Sequence, residues 1–91
     1  MFGLVGKITA VSGKRDVLGA LLKGATGGMP GNLAYVVAAC AEDADVLWVT
    51  EVWENEAAHQ ASLQLPAVQA AIAEGRPMIA GMSRVATTQP Y

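Results

Sequence analysis

Apolar and polar residues alternate loosely from Phe2 to Ser12, with Val5, Ile8, Thr9 and Val11 among them, which predicts a first strand. From Lys14 to Ala25 the period changes. Leu18, Leu21, Leu22 and Ala25 fall on one helical face while Lys14, Arg15 and Lys23 stay largely off it, so a helix follows. Gly24, Gly27 and Gly28 erode that helix, and Met29-Pro30-Gly31-Asn32 ends it in a turn. Leu33 to Cys40 has almost no polar position, the pattern of a strand covered on both faces. After the polar turn Glu42-Asp43-Ala44-Asp45, residues Val46 to Glu54 return as a third strand. Leu47, Val49, Glu51 and Trp53 share one side of it, and Trp48, Thr50 and Val52 share the other.

Asn55 is an N-cap by type, and Glu56 sits in the first turn, where the helix dipole favours a carboxylate. The helix it opens, Glu56 to Gln64, places His59, Ser62 and Leu63 on one face. Pro66 reads as the first position of a further helix, Ala67 to Glu74, with Val68, Ala71 and Ile72 as its apolar stripe. Gly75 and Pro77 stop that helix, Met82 to Thr88 is a fourth strand, and Gln89-Pro90-Tyr91 is a tail. The order is β-α-β-β-α-β with its second helix broken at Leu65-Pro66. Right-handed crossovers turn that order into an α+β ferredoxin-like domain, an antiparallel four-stranded sheet with its helices on one face, spanning residues 1–91.

Composition changes this picture in one respect. The chain is 53% apolar and only 15% charged, with a mean hydropathy of +0.34, in 91 residues. So small a domain has too much surface per volume to hide that much apolar material alone, so a second copy is expected to cover part of it. The alternative is that the excess is alanine, which tolerates exposure. The scattered basic residues and net charge of −2 argue against a nucleic-acid partner. The longest apolar run, Leu33 to Ala41, is too short to span a bilayer, and no secretory leader pattern opens the sequence. One cysteine, Cys40, fits a cytoplasmic, reducing setting and reads as a core thiol.

His59 is the only histidine, and histidine is the side chain best suited to proton transfer near neutral pH. Ala58 and Ser62 beside it leave room for a ligand. The alternative is a solvated residue, or one bonded to Glu51 or Glu56. Trp48 and Trp53 face opposite sides of one strand, so at most one of them lines a given pocket. Glu51 needs a partner, which Lys7 or Arg84 could supply. Arg76, after the last helix, is either an anchor for a phenolate or a surface arginine. One His and one Cys without paired spacing give no metal site, and neither a nucleophile elbow nor a dinucleotide fingerprint occurs, so no cofactor is expected.

Two stretches carry a resemblance: Thr50-x-Val52-Trp53-Glu54-x-x-x-Ala58-His59-x-Ala61-Ser62-Leu63-x-Leu65-Pro66-x-Val68, and Ala71-Ile72-x-x-x-Arg76-Pro77-x-Ile79. The chain resembles the antibiotic biosynthesis monooxygenase family, in its quinol monooxygenase branch. That resemblance implies a homodimer of ferredoxin-like units whose sheets pack into a shared α/β barrel. It also implies oxidation of a phenol or hydroquinone of polyketide type by O2 without flavin, haem or metal. His59 would then be the base, with Trp53, Ser62 and Arg76 lining the site of a small aromatic substrate. The related haem-degrading branch is not matched. Lys7, Ser62 and Ile72 stand where its asparagine, tryptophan and proximal histidine would fall. The other readings are a non-catalytic small-ligand-binding dimer, and an isomerase or lyase using the same cavity.

Overall fold

The computed structural model describes residues Met1–Tyr91 as β1 (Phe2–Ala10), α1 (Arg15–Ala25), β2 (Asn32–Ala39), β3 (Val46–Trp53), α2 (Glu56–Ser62), α3 (Pro66–Gly75), a 3₁₀ turn (Arg76–Met78) and β4 (Ile79–Thr88). The four strands form one antiparallel sheet in the order β2-β3-β1-β4. This is the ferredoxin-like arrangement that the alternation of periods predicts.

Leu18 of α1 is completely buried against Ile8, Ala10, Leu47 and Val49 on one face of the sheet, with Tyr35 and Val37 packed at the edge of that cluster. Register makes this face continuous. Val49 lies between Gly6 of β1 and Val37 of β2, and Glu51 lies between Leu4 of β1 and Tyr35 of β2. The other face carries no helix in the single chain. Val36 on it is 53% exposed, and the Lys7 ammonium stands 6.0 Å above the Trp48 ring. The second strand is therefore covered on one face only within one copy.

Element ends differ from the pattern by two residues or more in three places, each for a local reason. β1 stops at Ala10, short of Ser12, because the Val11 N–H turns to the Met78 carbonyl and a tight turn with Gly13 at φ +80° follows. β4 begins at Ile79, three residues before Met82, because Ile79 pairs with Ala10; Gly81 hides this in the pattern. α2 ends at Ser62 and not Gln64. Leu63, Gln64 and Leu65 each donate to the carbonyl three residues back, which tightens the chain before Pro66, a residue with no N–H. Leu65 is accordingly extended, at ψ 133°. Asn55 caps α2 as its type suggests, its Oδ1 accepting the Ala58 N–H at 2.8 Å.

One glycine is demanded twice over. Gly31 sits at φ +77°, and a Cβ there would lie 2.6 Å from Ala58 Cβ. Its carbonyl accepts the Glu54 N–H at 2.9 Å, which ties the α1–β2 turn to the start of α2. Cys40 lies outside the core, a correction to its reading as a buried thiol: it is half-exposed just past the end of β2. The backbone N–H of Glu42, with help from the Trp48 indole, holds its thiol below the usual range. No helix is long and apolar enough to cross a membrane.

Candidate active site

Between the helix-bearing face of the sheet and the broken second helix lies a cavity of about 280 Å³. Its floor is sheet: Leu4, Gly6 and Ile8 from β1, and Val49, Glu51 and Trp53 from β3. Gly6 matters through what it lacks. A Cβ built there meets nothing closer than 3.8 Å, so the absent side chain leaves space over the middle of the sheet. Met29, Leu22 and Ala25 close one side, and His59, Ser62, Val68 and Ala71 form the roof. The exposed residues Leu63, Ile72, Met82 and Arg84 line the side that opens beside edge strand β4.

His59 is 8% exposed. The Asn55 cap starts α2 so that position four of the helix turns inward over Trp53, whose side chain is fully buried. The two rings meet edge to face at a centroid distance of 5.6 Å, and Phe2 lies against the imidazole at 5.7 Å. Ser62, one turn on, donates its hydroxyl to the His59 carbonyl at 2.6 Å. That bond closes the helix end, leaving the serine oxygen only acceptor capacity toward the cavity.

Glu51 shares the floor with Trp53 and is only partly accessible. Its Oε1 accepts the Trp53 indole N–H at 3.1 Å and lies 3.9 Å from His59 Nε2. Across the strand ladder it faces Tyr35, which also lines the cavity. Burial, and then the Glu51 charge, push the Tyr35 phenol well above its ordinary range, so it remains a neutral donor. The only buried side-chain nitrogen or oxygen without a partner is His59 Nδ1.

The site residues expected from sequence are thus largely brought together, with one exception. His59, Trp53 and Ser62 line the cavity, and of the two tryptophans it is Trp53 that does so. Arg76 does not. It is exposed in the 3₁₀ turn after α3, and the arginine at the cavity is Arg84. Neither expected cation pairs with Glu51. Lys7 belongs to the opposite face over Trp48, and Glu51 is held by the Trp53 indole with His59 beside it. Tyr35 and Arg84 escaped sequence reasoning as cavity residues. Parity along β2 relative to Glu51 is the signal that could have found Tyr35.

The family model for antibiotic biosynthesis monooxygenases matches residues 1–74. The chain belongs to the antibiotic biosynthesis monooxygenase family. It is similar to a solved structure from Chloroflexus aurantiacus that bears this family's name, at 48% identity and a TM-score of 0.95, over 99% of this chain and 92% of that one. A structure of the same family name from Deinococcus radiodurans is 24% identical, with a TM-score of 0.83 over 100% and 93% of the two chains. One from Nitrosomonas europaea is 12% identical, with a TM-score of 0.88 over 99% and 98%. These last two share the fold. No curated protein matches the chain.

Proposed function

We propose that this protein is a homodimeric monooxygenase that oxidises a phenol or hydroquinone with O2, needing no flavin, haem or metal, and that His59 is its base. The observation that carries this reading is a buried imidazole among the residues that line a largely apolar cavity, in a chain of the monooxygenase family. An apolar cavity of roughly 150 Å³ accepts benzene, so 280 Å³ has room for more than one ring.

In this mechanism the substrate supplies the electrons. His59 takes the hydroxyl proton of an anthrone-type phenol, and the phenolate passes one electron to O2. The resulting superoxide and phenoxyl radicals are held together by apolar walls until they combine at the ring carbon. His59 returns its proton to the peroxide. Loss of water, with the C–H proton of that carbon, leaves a carbonyl: one oxygen atom stays in the product and the other leaves as water. Trp53 is the aromatic wall, Tyr35 is a neutral hydrogen-bond donor, and Arg84 is the cation within reach of the developing phenolate. A hydroquinone gives up two electrons and two protons to O2 instead, forming quinone and hydrogen peroxide.

Aerobic incubation of an anthrone-type phenol under ¹⁸O₂ tests the reading, wild type against His59→Ala. Loss of the base should cost on the order of 10²–10⁴ in turnover with the fold retained. Ligand binding without oxygen uptake would favour the binding dimer, and double-bond migration in an anaerobic sample would favour the isomerase.

A further inference from the structure

The cavity is lined by one carboxylate and one imidazole, and they stand side by side. Glu51 Oε1 accepts the Trp53 indole N–H at 3.1 Å and lies 3.9 Å from His59 Nε2, too far for a hydrogen bond between them. Glu51 Oε2 and His59 Nε2 have no hydrogen-bond partner in the chain. Neither is sealed off, because His59 Nδ1 is the only fully buried side-chain nitrogen or oxygen without a partner. The Glu51 side chain is only 16% exposed and no lysine or arginine pairs with it. An ionised carboxylate only accepts, so one with an idle oxygen in an apolar wall gains free energy from a proton donor. Two other cavity hydroxyls do not supply it. Ser62 and Thr26 donate to backbone carbonyls at 2.6 and 2.8 Å.

A base meets a hydroxyl proton with a lone pair, and Nε2 is the ring nitrogen left open for that role. Glu51 is an acceptor as well. One hydroxyl carries one proton and cannot donate to both. We propose that Glu51 is a specificity-determining residue, and that the cavity selects aromatic ligands with hydroxyls on adjacent ring carbons, one donating to His59 Nε2 and the other to Glu51. The role of His59 in this pair rests on the function proposed above. Hydroxyls on adjacent carbons stand about 2.7 Å apart, so hydrogen bonds of about 2.8 Å reach both acceptors at once. A ring with a single hydroxyl, or with hydroxyls at opposite ends, satisfies only one acceptor. An aromatic carboxylate brings a like charge to Glu51 and is disfavoured.

Calorimetric binding to the full chain under nitrogen tests this, with 2-naphthol, 2,3-dihydroxynaphthalene and 2,6-dihydroxynaphthalene as probes. The 2,3 isomer should bind about tenfold more tightly than either of the others, the worth of one hydrogen bond to a charged acceptor. In Glu51→Gln the single amide oxygen is claimed by the Trp53 indole N–H, so the amide NH₂ takes the place of Oε2. It offers a donor where the second hydroxyl needs an acceptor, and the preference should fall to about twofold or less. Failure of the 2,3 isomer to bind, equal affinity for the three probes, or a tenfold preference that survives in folded Glu51→Gln would overturn the proposal. If the variant fails to fold, the wild-type preference decides alone. A 2,3 preference in a protein that takes up no oxygen with any phenol sinks the oxygenase reading and leaves this selectivity standing. Oxygen insertion by a protein that does not distinguish the probes does the opposite.

Discussion

Tyr35 faces Glu51 across the β2–β3 ladder, and this pairing sets the polarity of the cavity floor. Burial and the nearby carboxylate both favour the protonated phenol. The folded state keeps a proton that the unfolded chain releases above about pH 10, so Tyr35 supports the fold below that pH and its contribution is lost as pH rises further. Two measurements check this. The chain has two tyrosines, and tyrosinate absorbance of the folded protein should not exceed one residue's worth up to about pH 11. The urea midpoint should also fall above about pH 10, and Tyr35→Phe should remove its share of that fall. At this scale the sequence was informative where parity was clear. Trp53 and Glu51 share a face by simple counting along β3, and His59 is unique. Tyr35 lies in a run so evenly apolar that no polar face marks its direction, and Arg84 sits behind a register shift between Val5 and Gly6 that counting along β4 does not reveal.

The elements themselves follow from changes of period that read directly from the chain, two for strands and 3.6 for helices. What the pattern blurs is their ends, because these are decided by contacts with distant residues. The Val11 N–H goes to Met78 and not onward along β1, and Ile79 becomes a strand residue because Ala10 is there to pair with it. Gly31 shows the same dependence. Met29-Pro30-Gly31-Asn32 announces a turn, but only the fold shows that Ala58 fills the space a side chain would need. Gly31→Ala combines a left-handed backbone penalty with a steric overlap, so it should cost about 3 kcal/mol in urea unfolding. It should loosen α2, and with it the placement of His59. A change under about 0.5 kcal/mol would mean the turn adapts freely.

At the scale of the whole molecule the sheet has one face under helices and one face free, bearing Val36, Trp48, Thr50 and Val52. Val36 on that free face is 53% exposed, and that face is the surface on which we place the proposed dimer. Burial of apolar area is not screened by salt, whereas ion pairing is. The protein should therefore sediment as a dimer at micromolar concentration, and raising salt should leave it so. A monomer under those conditions would remove the shared barrel. The substrate was never legible in the chain, since one scaffold hosts many functions and does not say what fills its cavity. We propose that oxygen passes from O2 to a phenol that His59 deprotonates. Mass spectrometry of an anthrone-type product formed under ¹⁸O₂ tests it most directly. We predict one ¹⁸O atom in the new carbonyl, with product formation depressed on the order of 10²–10⁴ in His59→Ala. Product that forms no faster than in buffer, or a labelled product formed equally fast by the variant, would contradict it.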